Sequence, residues 1–178
     1  MLKIIAVVLV VLIAIILGVA ATKPDTFEVQ RSANMLAQPE KVLVLIDDFH
    51  NWGSWSPWEK LDPAMKKTYS GAADGKGSVY AWEGNSKVGA GRMEILEATP
   101  SKVTIQLDFI RPFAGHNVAE FALAPQSGAT QVTWSMHGPT PFVSKVMQVF
   151  VSMDSLIGKD FETGLANMKI IAENGSSK

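Results

Sequence analysis

The chain contains no cysteine, and its positive charge is neither abundant nor clustered. The absence of thiols excludes disulfide bonds, thiolate-bound zinc, iron–sulfur clusters and cysteine nucleophiles. Beyond residue 21 the chain carries 15 basic and 17 acidic residues, and its densest basic cluster is Lys66-Lys67. Because a nucleic-acid-binding surface needs a basic patch, we predict no nucleic-acid partner. A domain of this composition must be stabilised by its core alone.

Common catalytic and cofactor motifs are also missing. His50, His116 and His137 lack the i, i+3 or i, i+4 spacing of paired metal ligands, and no G-x-S-x-G elbow or phosphate-binding loop occurs. Gly89-x-Gly91 is not followed by the third glycine of a dinucleotide loop, because Glu94 occupies that place. We therefore predict neither a metal site nor a cofactor.

What the chain does have is an unbroken apolar run from Ile4 to Leu17. With Leu2 and the small residues to Ala21, it approaches the ~20 residues that an α-helix needs to cross a bilayer. Positive charge precedes it only at Lys3 and the α-amino group, so the positive-inside rule sends the remainder out of the cytoplasm. A secretory signal with a cleavage site after Ala21 would look similar. We favour an uncleaved anchor over residues 1–21, which makes this a single-pass membrane protein. Cleavage would leave a secreted or periplasmic domain.

The remaining sequence reads as a single domain over residues 27–173, with a tether over 22–26 and a polar tail over 174–178. A first alternating strand begins at Phe27, and a short helix over 40–46 follows Pro39. Six further strand-like segments are separated by turn residues: KKTYSG, SVYAWEG, GRMEILEA, KVTIQLDFI, NVAEFALA and TQVTWSMH. Short connections such as 74–77 favour antiparallel pairing.

One long amphipathic helix is predicted after the last strand. Thr140 can cap it, Pro141 suits its first position, and apolar residues recur at three- and four-residue steps from Val143 to Met168. Gly158 and Gly164 interrupt this stripe at about 1 kcal/mol each relative to alanine, which indicates close packing or a bend over a curved sheet. The predicted fold class is α+β, with about seven antiparallel strands and a preceding transmembrane helix.

This element order and four motifs identify a family resemblance. The motifs are Trp52–Trp58 (WGSWSPW), Gly89–Ile95 (GAGRMEI), Thr130–Met136 (TQVTWSM), and Gly158–Glu162 with Gly164-Leu165. Together they resemble the SRPBCC superfamily, the START-like and polyketide-cyclase-like group, from about Phe27 to Glu173. The resemblance implies a helix-grip fold, in which a curved sheet wraps a C-terminal helix and often encloses a hydrophobic cavity. It implies no single reaction, because members include lipid carriers, hormone and quinone binders, cyclases and oxygenase subunits.

Strand alternation predicts which residues face such a cavity. In KVTIQLDF the apolar side chains of Val103, Ile105, Leu107 and Phe109 share one face. The same reasoning turns Ala119, Phe121 and Leu123 inward, and we expect Met147 and Phe150 to approach from the helix. A filled core is the alternative, since aromatic and Met side chains serve both. The predicted ligand-binding residues are Tyr80, Trp82, Met93, Leu107, Phe109, Arg111, Phe121, Trp134, Met136, Met147 and Phe150.

Two groups of side chains have a structural and a functional interpretation. Trp52, Trp55 and Trp58 are spaced by three, so in a tight helical turn they would share one side. We favour packing for this set, and a mobile gate that touches ligand is the alternative. For Arg111 we favour a salt bridge at the rim of the sheet, with Asp108 or Glu120, over a contact with a ligand carboxylate.

Three functions remain open. The one we favour is a non-catalytic, membrane-tethered module that binds or shuttles a hydrophobic small molecule such as a lipid, quinone or isoprenoid. The second is a cyclase- or hydratase-like enzyme in which Arg111, His137, Asp108 or Tyr80 supplies acid/base function. Strict alternation puts His137 on the outer face, so its participation would need a bulge. The third is an envelope interaction domain with a filled core.

Overall fold

The computed structural model describes residues 1–175. Asn174 ends the last helix and Gly175 follows it, so the predicted polar tail begins inside the helix. Its remaining residues, 176–178, lie outside the described part of the chain.

The domain is built on one antiparallel sheet of seven strands. The strands are β1 (Thr26–Met35), β2 (Lys66–Gly71), β3 (Ser78–Glu83), β4 (Ala90–Thr99), β5 (Lys102–Arg111), β6 (Gly115–Gln126) and β7 (Ala129–Pro139). Their order across the sheet is β1-β7-β6-β5-β4-β3-β2, so strands consecutive in sequence from β2 to β7 are neighbours and β1 lies beside β7. This confirms the predicted α+β helix-grip class.

Helices precede, interrupt and follow the strands: α1 (Leu2–Ala21), α2 (Pro39–Asp47), α3 (Trp52–Trp55), α4 (Phe142–Met147) and α5 (Met153–Asn174). Pro39 occupies the first turn of α2, where its missing N–H costs no hydrogen bond. Two 3₁₀ turns, Phe49–Asn51 and Pro57–Lys60, flank α3. The segment between β1 and β2 is therefore a series of short helices and 3₁₀ turns that lies over the sheet.

The core fills the space between the concave face of the sheet and α5. Register shifts in β4, near Gly91 and between Ile95 and Glu97, are irregularities that help to bend the sheet. Val103 and Ile105 are fully buried, as strand alternation predicts. Helix α5 contributes Phe161, whose ring stacks on Trp134 with centroids 4.0 Å apart.

The prediction of one continuous C-terminal helix is wrong. Helix α4 ends at Met147, and α5 begins only at Met153. Ser152 has an extended backbone conformation and its Oγ accepts a hydrogen bond from the N–H of Ser155, so it starts a new helix as an N-cap. The apolar steps continue across the break, and for that reason the periodicity did not reveal it.

Gly158 lets an arginine of β1 lie against α5. The Arg31 guanidinium binds Asp154 at 2.7 Å and Glu162 at 2.7 Å, one helical turn on either side of Gly158. A Cβ at position 158 would come within 2.2 Å of Arg31 Nη2, and one at Gly164 within 2.9 Å of the Trp134 ring. Close packing therefore accounts for both glycines.

Helix α1 stands apart from this core. It has 20 residues with a mean hydropathy of 3.4, so it is long and apolar enough to cross a membrane; a signal sequence has the same properties. Its side chains are exposed except near the C-terminal end, where Ala20 is buried and Ile16 is half-buried. There α1 packs against α4.

Candidate functional site

A cavity of about 230 Å³ lies between the sheet, α5 and the turns that follow α3. Its walls are mainly aromatic and aliphatic. The lining residues are Trp52, Ser56, Trp58, Glu59, Met65, Tyr80, Trp82, Lys87, Val88, Met93, Leu107, Phe109, Ala119, Trp134, Met136, Ile157 and Phe161.

Seven of the predicted ligand-binding residues line this cavity: Tyr80, Trp82, Met93, Leu107, Phe109, Trp134 and Met136. All seven lie on strands, where alternation decides which face a side chain occupies. Their positions come from four different strands, β3, β4, β5 and β7, so the sheet itself brings them together.

Four predicted residues do not line the cavity. Phe121 faces inward but is fully buried in the solid part of the core, between Trp55 and Trp134. Arg111 is exposed at the sheet rim and pairs with Glu83 at 3.0 Å, instead of with Asp108 or Glu120. Met147 and Phe150 are 48% and 68% exposed, because the break before α5 turns their segment away from the sheet.

Glu59, an acidic residue of the cavity wall, was not among the predicted site residues. Its side chain is 8% exposed and accepts a hydrogen bond from the Tyr80 hydroxyl at 2.7 Å, while its other oxygen pairs with Lys67 Nζ. Glu59 lies in a 3₁₀ turn, three residues after buried Ser56. Residues three apart overlie each other in such a turn, which is the one periodic signal available.

The tryptophan set divides between packing and the cavity wall. Trp55 is completely buried, and its Nε1 donates to the Leu45 carbonyl at 2.7 Å. Trp52 and Trp58 line the cavity. Trp52 is nevertheless 5% exposed and donates to the Ile46 carbonyl, so it is held by packing as firmly as Trp55.

Other candidate acid/base groups lie on the outer face of the sheet. His137 is exposed, and it pairs regularly with Glu28 and Val118, so no bulge turns it toward the cavity. Asp108 accepts a hydrogen bond from His116 Nδ1 at 2.7 Å. Burial alone would raise the pKa of Asp108, but its hydrogen bonds with His116 and Gln106 lower it. Of the acid/base candidates named from the sequence, Tyr80 alone lines the cavity.

Burial raises the pKa of Tyr80 strongly, and its hydrogen bond to the Glu59 carboxylate adds to this effect. Burial also raises the pKa of Tyr69, the only other tyrosine. The folded state thus binds both phenolic protons more tightly than the unfolded state does. Their contribution to stability is complete below the usual tyrosine pKa of about 10 and is lost as the pH rises above it.

We therefore expect that a spectrophotometric titration of the folded protein will show less than half of the tyrosine ionised at about pH 10. In denaturant, half should be ionised at that pH. The variant Tyr80→Phe serves as the control, because it leaves the Tyr69 transition alone. Half-ionisation of the folded wild type near pH 10 would contradict the burial of Tyr80 beside a carboxylate.

The register of the strands shows where the cavity opens. Thr26 pairs with Pro139, Phe109 with Gly115, and Glu83 with Ala90, so the start of β1 and the loops over 84–89 and 112–114 share one end of the sheet. We call this the α1 end. Four solvent-accessible wall residues lie there, the exposed Lys87 and the half-buried Trp82, Val88 and Phe109, and we call them the mouth of the cavity. Wall residues farther along the strands, such as Tyr80 and Met93, are buried.

Residues 26–173 match the sequence profile of a family described as polyketide cyclase / dehydrase and lipid transport. The chain belongs to this family. The match confirms the superfamily resemblance and covers the whole sheet and nearly all of α5. Membership supports either binding of a hydrophobic small molecule or a cyclase-like role. No curated protein sequence matches the chain.

Solved structures agree with the family on the fold. The di-domain ARO/CYC StfQ from the steffimycin biosynthetic pathway has a TM-score of 0.63 at 7% identity, covering 86% of this chain and 52% of StfQ. Protein MLL2253 from Mesorhizobium loti has a TM-score of 0.60 at 16% identity, covering 83% and 98%. The Aha1 dimer from Colwellia psychrerythraea has a TM-score of 0.57 at 16% identity, covering 85% and 99%.

Proposed function

We propose that this protein is a membrane-tethered module that binds or shuttles a hydrophobic small molecule. The observation that carries the proposal is the apolar cavity between the sheet and α5, whose mouth lies at the α1 end. Helix α1 then serves as an uncleaved anchor with the domain outside the cytoplasm. The anchor would keep the mouth close to the bilayer, into which apolar ligands partition.

The dimensions of the cavity limit the ligand. Its volume of about 230 Å³ is below the ~300–1,000 Å³ that is typical of pockets for drug-sized molecules. A single ring system or one segment of a longer lipid, quinone or isoprenoid chain fits this space. Binding is driven by removal of apolar surface from water, at roughly 25 cal/mol per Å² before association costs.

A second candidate function, cyclase-like catalysis, is favoured by one specific observation. Glu59 and Tyr80 form a hydrogen-bonded pair on the cavity wall, with Lys67 on the second carboxylate oxygen. Such a pair could hold a proton next to a bound substrate. However, Tyr80 donates a hydrogen bond to Glu59 and its pKa is raised, so the phenol stays protonated and is a poor base near neutral pH. We therefore place binding first.

Co-purification tests the proposal directly. The full chain is purified in a mild detergent, extracted with organic solvent, and the extract is analysed by mass spectrometry. We expect an apolar molecule in near-stoichiometric amount that is enriched over bulk lipid. The variant Leu107→Trp, which places a large ring in the cavity, should lose this molecule. Equal lipid content in both preparations would refute the binding function.

A further inference from the structure

Several exposed apolar side chains lie close together in sequence on and after α4, the helix that α1 contacts. They are six side chains on α4, on the following linker and at the start of α5, which we call the apolar patch: Phe142, Val143, Met147, Phe150, Val151 and Leu156. Val143 is 65% exposed and Phe150 is 68% exposed. Residues 141–152 include one charged side chain, Lys145, and its ammonium pairs with Asp25. Solvated proteins seldom leave so many adjacent large apolar side chains uncovered.

The patch lies at a defined position along α1. Helix α1 contacts α4 through its last turns, because Ala20 is buried and Ile16 is half-buried while residues 1–15 are exposed. A helix of 20 residues is about 30 Å long, which equals the thickness of the hydrocarbon core. If α1 spans the bilayer, its last turn lies at the boundary between acyl chains and headgroups. The patch then lies at that same depth.

A further exposed aromatic side chain, outside the patch, lies at the same end of the sheet. Phe113 is 66% exposed in the loop that joins β5 to β6. This loop belongs to the α1 end, since Phe109 pairs with Gly115 just before it. The mouth residues Lys87 and Val88 occupy the neighbouring loop at that end. The patch, Phe113 and the mouth therefore lie at the same end of the sheet, on separate elements.

We propose that the α1 end docks on the bilayer surface, with the apolar patch and Phe113 inserted among the lipids and the mouth opening toward them. This inference rests on the proposed anchor and goes beyond it, because a tether alone requires no contact between domain and lipid. Insertion of large apolar and aromatic side chains to the depth of the headgroup boundary is the usual mode of interfacial binding. A ligand would then move between membrane and cavity without crossing water.

The absence of cysteine makes a site-specific test possible. Single cysteines are introduced by Phe150→Cys and Phe113→Cys, by Leu9→Cys in the middle of α1, and by Leu36→Cys as the matched control. Leu36 follows β1 at the opposite end of the sheet and is 68% exposed, as Phe150 is. Each full-length variant is labelled with an environment-sensitive fluorophore and reconstituted in phosphatidylcholine–phosphatidylglycerol vesicles. Quenching by lipid-borne nitroxide and by aqueous iodide is then compared.

We expect blue-shifted emission, strong nitroxide quenching and protection from iodide at positions 150 and 113, and the reverse at position 36. If the labels at 150 and 113 behave like the one at 36 while the label at 9 is in lipid, the docking is overturned. The anchor is then supported. A label at 9 in water would overturn the anchor and the docking with it. Protection from iodide without nitroxide quenching would indicate a protein partner on the patch and would also overturn the proposal.

Discussion

Replacing Trp55 by alanine is expected to lower the free energy of unfolding by about 3–5 kcal/mol. The ring is completely buried and packs edge-on against Phe121 and Trp134, with centroids 6.1 and 5.5 Å apart. The truncation removes these contacts and the donor to the Leu45 carbonyl, and it leaves a void that rigid strands cannot close. Denaturant unfolding followed by circular dichroism would measure the loss.

Trp58→Ala is the matched control for this experiment. Trp58 belongs to the same sequence motif, but it is only partly buried and lines the cavity. Its removal should enlarge the cavity and cost less stability than removal of Trp55. Equal losses in the two variants would mean that Trp55 is not the packing centre of this segment. A loss of ligand from Trp55→Ala at full stability would favour the mobile gate.

Replacing Ala119 by phenylalanine is expected to weaken binding of an apolar ligand at least about tenfold, which corresponds to about 1.4 kcal/mol. Ala119 lines the cavity from β6 and is 4% exposed, so the added ring takes up volume that the ligand would fill. Because empty space is available, the cost in stability should stay within the roughly 1–3 kcal/mol of an overpacked core. Displacement of an apolar fluorescent probe would measure the affinity.

Ala122→Phe controls for the new aromatic ring. Ala122 is on the same strand three residues later, and it is exposed on the outer face. This variant should bind the probe as the wild type does. Unchanged binding in Ala119→Phe, with the protein folded, would argue that the ligand site lies elsewhere.

Most of the correct predictions about the site came from strand alternation. It placed Leu107, Phe109 and Trp134 on the correct face because the period of a strand is two and the face is fixed once one residue is known. Alternation could not predict that Ala119 lines the cavity while Phe121 fills the core, because the two side chains share a face. Whether an inward side chain fills the core or borders empty space depends on the size of its neighbours across the sheet.

Helical periodicity was less informative. Met147 and Phe150 continue the apolar stripe of α5, but a break of five residues between the helices turns them outward. Ser152, the N-cap at which α5 starts after the break, is a common residue type, so serine alone is only a weak indicator of a helix start. Glu59 was missed for a different reason. It lies in an irregular turn, and its partners Tyr80 and Lys67 are distant in sequence.

The connection between α1 and the sheet leaves the domain little rotational freedom. Thr22 and Lys23 extend the helix with hydrogen bonds to Val19 and Ala20, and β1 begins at Thr26. Only Pro24 and Asp25 lie between, and the Asp25 carbonyl accepts a hydrogen bond from Thr140 at 2.6 Å. A flexible leash would let the cavity sample all directions. This short, hydrogen-bonded connection restricts that rotation, so if α1 is an anchor, every copy would hold its cavity at a similar angle to the helix axis.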